Sequence, residues 1–144
     1  MSRRRIAVAA VLAGAFVAAA QSATATNRVD VGHGLSFAVP QGWRVSHHRF
    51  TPCTDPVERV SLIRGDAILM LQERLDPARA ELSRRPAHFA VSGEPAPMAC
   101  CSVGNRRGWS LQFGDRGRGF YASIYPGHRP ARELLALLDT LHAR

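Results

Sequence analysis

Two alternating runs meet across a single turn late in this chain, and no other feature so narrows what it can fold into. Trp109, Leu111 and Phe113 alternate with Ser110 and Gln112, while Phe120, Ala122 and Ile124 alternate with Tyr121, Ser123 and Tyr125. Gly114-Asp115-Arg116-Gly117 lies between them. Successive strand side chains point to opposite faces, so the spacing predicts a hairpin with one apolar face. A helical stripe follows from Pro130 to about His142: Leu134, Leu135, Leu138 and Leu141 at i, i+1, i+4 and i+7, widened by Leu137. Neither stripe can stay in water cheaply, so each must cover the other. We expect Trp109, Leu111, Phe113, Phe120 and Ile124 to form one buried face against Leu134, Leu138 and Leu141.

The rest of the chain reads as further strands with short breaks. Leu35 to Val39 is strand-like, Pro40-Gln41-Gly42 turns, and Trp43 restarts the chain. Arg59–Ile63 and Ala67–Glu73 flank Arg64-Gly65-Asp66, whose Gly65-Asp66 suits a tight hairpin. Ala67-Ile68-Leu69-Met70-Leu71 has no polar face, which predicts a central strand covered on both sides. Asp76-Pro77 has the form of a helix N-cap followed by proline at the first helical position, so a short helix is expected through about Arg84. Further strands are expected over His88–Val91 and Met98–Val103. The expected architecture is α+β: a largely antiparallel sheet, the C-terminal helix on one face and the short helix near the other.

Phe37-Ala38-Val39-Pro40-Gln41-Gly42-Trp43 resembles the F-x-V-P-x-G-W opening of small exported PsbP-like bacterial proteins. The closing helix, with Leu137-Leu138-Asp139-Thr140-Leu141, is similar to theirs as well. The resemblance covers both ends of the chain and not the cysteine-bearing middle. It implies an α-β-α sandwich and a mainly non-enzymatic family, and it transfers no catalytic residue.

The first 25 residues carry the marks of an export signal. Arg3, Arg4 and Arg5 are a basic start, Ile6 to Ala20 is apolar and small, and Ala23-Thr24-Ala25 matches a signal-peptidase site. We expect cleavage after Ala25, by a general secretory rather than a twin-arginine route, leaving one secreted domain over residues 26–144. The apolar run is short and alanine-rich for a membrane span, and no second such run follows. The expected location is the cell envelope or beyond.

The chain has 19 basic residues, all arginine, against 11 acids. Three arginines fall in the leader, so residues 26–144 hold 16 basic and 11 acidic groups, a net charge of +5. Arginine without lysine, with abundant Ala, Gly and Pro, also fits a GC-rich bacterial genome. The acids and bases are interspersed, which argues against nucleic acid as partner. Arg106, Arg107, Arg116 and Arg118 are the one local concentration, a candidate patch for an anionic envelope polymer.

Residues 26–144 contain Cys53, Cys100 and Cys101. In an oxidising compartment two of three should pair, and adjacent cysteines strain the backbone. The expected disulfide joins Cys53 to Cys100 or Cys101 and is worth about 3–4 kcal/mol. The remaining thiol is either a buried small hydrophobe or, in an alternative reading, the reactive group of an exported redox protein. His47 and His48 lie near Cys53, but the spacing fits no metal signature and adjacent histidines diverge on a strand. No Gly-x-Ser-x-Gly, carboxylate pair of glycosidase type or phosphate loop occurs. Arg64-Gly65-Asp66 spells an adhesion tripeptide, and its hairpin role accounts for it. The sequence therefore points to a secreted, non-catalytic binding or envelope-associated module without cofactor or metal.

Overall fold

The computed structural model describes residues 26–50, 56–75, 82–100 and 104–144. Its nine strands are β1 (Thr26–Gly32), β2 (Leu35–Pro40), β3 (Arg44–Arg49), β4 (Glu58–Arg64), β5 (Ala67–Arg74), β6 (Ala96–Cys100), β7 (Gly104–Asp115), β8 (Arg118–Tyr125) and β9 (His142–Ala143), with the helix α1 at Ala131–Asp139. They form two antiparallel sheets, a six-stranded one ordered β3-β4-β5-β8-β7-β6 and a three-stranded one ordered β1-β2-β9. The architecture is mainly β with one C-terminal helix.

The expected hairpin is present as β7 and β8, with Trp109 opposite Ile124, Leu111 opposite Ala122 and Phe113 opposite Phe120. Arg116 and Gly117 both adopt positive φ, the two-residue turn that matches strand twist. β5 lies third in the large sheet, and Ala67 to Leu71 are all buried, as a run without a polar face requires. One side of that sheet carries Val60, Leu62, Leu69, Leu71, Phe113, Phe120, Ala122 and Ile124 into the main core. Leu134, Leu137 and Leu138 from α1 and Leu141 just after it cover it, together with Leu35, Phe37 and Val39 from β2. Trp109 and Leu111 pack on this core while only partly buried. On the other side Ile68, Met70 and Tyr125 form a smaller cluster with Ile63 and Met98.

Three expectations change, and a fourth falls mostly outside the described residues. Instead of one sheet there are two, because Phe37 and its neighbours pair with β1 and β9 and not with the large sheet. The helix stops at Asp139. Thr140 caps it by donating its hydroxyl to the Leu137 carbonyl at 2.7 Å, and accepts from the Ala38 N–H at 3.0 Å, which releases His142–Ala143 to pair with β2. His88–Val91 is not a strand, and the Asp139 carboxylate holds its Phe89 N–H instead, at 2.8 Å. The short helix lies mostly outside the described residues, and residues 82–84 are non-helical, with Arg84 bridging Gly114.

Candidate functional site

Strand periodicity carries a row of charged groups to one end of the core face. Glu58 is in phase with Val60 and Leu62, Glu73 with Leu69 and Leu71, Arg118 with Phe120 and Ala122, and His47 and Arg49 with Val45. The register then aligns Arg49 with Glu58 and Glu58 with Glu73 across β3, β4 and β5. Two glutamates directly opposite on neighbouring strands repel unless something compensates them. Arg118 does so. Its Nε and Nη2 donate to Glu73 at 3.0 and 2.7 Å, and Nη2 also donates to Glu58 Oε1 at 2.9 Å. His47 Nε2 lies 2.9 Å from Glu58 Oε2.

Glu58 is only 3% exposed. Burial pushes its carboxyl above the ordinary value, the hydrogen bond shared with Glu73 adds to this, and His47 and Arg118 oppose it. The same network holds the Arg118 guanidinium above its ordinary value, chiefly through the hydrogen bond to Glu73. Arg118 Nη1 also donates to the His33 carbonyl at 2.9 Å and the Arg144 carbonyl at 3.3 Å, binding the β1–β2 turn and the stretch after β9 to the large sheet.

This network floors a cavity of about 390 Å³ whose walls include His33, Arg49, Leu75 and Arg144. His33 sits in the β1–β2 turn at φ 49°, followed by Gly34 at φ 73°. Arg49 Nη1 donates to the His33 ring, with 2.6 Å to Nε2 and a closer approach to Nδ1. Packing around the imidazole strips part of its hydration and holds His33 below its ordinary value, and the charges of Arg49, His47 and Arg118 act in the same direction.

A second cavity, of about 500 Å³, is lined by Arg84, Arg85, Asp115, Arg116 and His142 among others. Arg85 is an anchor there. It donates to Asp115 Oδ2 at 3.1 Å, to the Leu141 carbonyl at 2.6 Å and to the Asp139 carbonyl at 2.8 Å, where a cation suits the C-terminal end of α1. Arg84 and Arg116 are exposed at the rim. His33 and Arg116, one in each cavity, are the two non-glycine residues with positive φ among the described residues.

The four arginines singled out by sequence are not brought together. Arg116 and Arg118 are at this end of the large sheet, and Arg118 is committed to the glutamates. Arg106 and Arg107 pair with Met98 and Pro97 near the opposite end of β7, where Arg106 donates to the Asp66 carbonyl at 2.7 Å. The basic surface at the β7–β8 turn is instead completed by Arg49 from β3, Arg84 before Arg85 and Arg144 after β9, which local sequence density does not bring together. For Glu58 and Glu73 the available signal is their phase with the apolar positions of β4 and β5.

His47 and His48 diverge as expected: His47 meets Glu58, and His48 packs edge-on against Phe50 at 4.6 Å. Among the described residues, no group of three or more His, Cys, Asp or Glu side chains is placed to hold a metal ion. Asp66 of the Arg-Gly-Asp tripeptide is in the β4–β5 turn and accepts from the His128 N–H at 3.1 Å and from its ring. Cys53, Cys101 and the side chain of Cys100 lie outside the described residues, as does the leader. No helix among the described residues is long and apolar enough to cross a membrane. No family model, curated protein or solved structure matches the chain.

Proposed function

We propose that this is an exported, non-catalytic binding module that holds an anionic polymer of the cell envelope at the β7–β8 turn end of its large sheet. One observation carries the reading. Among the acids described at this end, Glu58 and Glu73 bond to Arg118 and Asp115 bonds to Arg85. Arg49, Arg84, Arg116 and Arg144 therefore surround the two cavities as exposed cations. Cationic walls around concave surface raise the local concentration of anions and steer their approach. The glutamate pair is closed beneath Arg118, which suits a rigid floor better than a reacting centre. The leader and the PsbP-like opening support export and a non-enzymatic role.

Retention on immobilised poly-glutamate and on polyphosphate tests the reading and separates carboxylate from phosphate preference. Wild-type protein should be retained and should elute with salt, because exposed charge pairs are screened. Replacing Arg49, Arg84, Arg116 and Arg144 by alanine should abolish retention, while replacing Arg106 and Arg107 should leave most of it. Equal loss in both variants would reduce the effect to net charge and overturn the assignment.

A further inference from the structure

Resting on that reading, we infer that the cavity formed by His33, Arg49 and Arg144 is an oxyanion site that tightens on acidification, because Glu58 and Glu73 beneath it take up one shared proton. Two carboxylates face each other across β4 and β5, and one guanidinium serves both. With both ionised, the floor carries two carboxylate charges, and Arg118 bonds to both. One proton bound between them leaves a single carboxylate charge for Arg118, and the cavity above gains one positive unit.

The groups facing the pair are His47 and Arg49 from β3, Arg118 from β8, His33 from the β1–β2 turn and Arg144 after β9. Burial raises the Glu58 carboxyl above its ordinary value, which favours proton uptake there. His33 responds in the same direction. In its neutral form it accepts from Arg49, and a protonated ring cannot accept at those nitrogens, so acid frees the Arg49 guanidinium for a ligand.

The probe is dextran sulfate, whose charge is constant across the range, with binding measured at fixed ionic strength. A unit charge gained beside a bound oxyanion, in surroundings between a protein surface and bulk water, is worth about tenfold in affinity. Wild-type protein should bind about tenfold more tightly at about pH 5 than at about pH 8. Glu58→Gln holds the floor at a single carboxylate charge. It should bind at the higher pH nearly as tightly as wild type does at the lower, keeping only the histidine part of the response.

Calorimetry of the wild-type complex in two buffers of different ionisation enthalpy gives a second readout should that variant fold poorly. Net proton uptake on binding at intermediate pH is expected. Affinity that changes less than about twofold with pH, absent proton uptake, or a full pH response in Glu58→Gln would each overturn the inference. Binding that is firm but independent of pH would leave the polymer-binding function standing, whereas no binding at any pH would remove that function as well.

Discussion

Removing the Arg118 charge should expose how much of this fold rests on the glutamate pair. Arg118→Met keeps an unbranched stem above Phe120 and deletes three charge-assisted bonds to Glu58 and Glu73, at 2.7–3.0 Å. The side chains are 15% exposed for Arg118, 4% for Glu58 and 14% for Glu73, so water screens the loss poorly. Breaking a buried ion pair by removing one partner costs about 3–5 kcal/mol, most of it the penalty of stranded charge. We expect a loss of that size in urea denaturation at about neutral pH.

The pH dependence has a fixed sign. The folded-state Glu58 carboxyl titrates above its ordinary 4.5, so its contribution is fully present below that value and is lost as pH rises through the folded one. Without Arg118 the two carboxylates repel more strongly, and the variant should regain stability on acidification more steeply than wild type. Adding Glu58→Gln to Arg118→Met should recover part of the loss, a coupling a double-mutant cycle would measure. A loss under about 1 kcal/mol, or one unchanged between about pH 8 and pH 5, would refute the reasoning.

Three further outcomes test other parts of the structure. Leu138→Ala deletes a fully buried contact of α1 and should cost about 2–5 kcal/mol in the same assay. Gly108→Ala places a Cβ into the Ile124 carbonyl oxygen, a backbone atom with nowhere to go, and should cost about 1–3 kcal/mol. Non-reducing peptide mapping of exported protein should find Thr26 at the amino terminus and one disulfide from Cys53 to Cys100 or Cys101. The leftover thiol should label slowly until the chain unfolds, whereas three free thiols would remove the disulfide.

What could be read from sequence follows the strength of local patterning. The β7–β8 hairpin, the β4–β5 hairpin and the leucine stripe of α1 each carry an apolar period and a turn, and all three stand where expected. β1 and β3 carry no comparable signal. Thr26–Gly32 has one buried residue and Arg44–Arg49 has none, because both are edge strands wetted on one side. The C-terminal residues were overextended as helix because Leu141 continues the stripe, while pairing of His142–Ala143 with β2 is a tertiary gain that periodicity does not encode. The candidate site was hidden for a related reason. Arg106, Arg107, Arg116 and Arg118 are close along the chain, yet a strand of twelve residues holds its ends about 35 Å apart. Arg49, Arg84, Arg116 and Arg144 are distant along the chain and are assembled by register. Glu58 and Glu73 looked like ordinary members of mixed Glu-Arg steps, and only the phase with Val60 and Leu71 sends them inward.

The most direct test of the account follows backbone amide shifts by NMR while a sulfated or phosphorylated polymer is titrated into the folded domain. Shifts should cluster at His33–Leu35, at Asp115–Arg118 and at His142–Arg144, with Arg49 and Arg84, and should fade as salt is added. Shifts centred on Arg106, Arg107 and Pro126 at the other end of the sheet, or spread evenly over the surface, would contradict it.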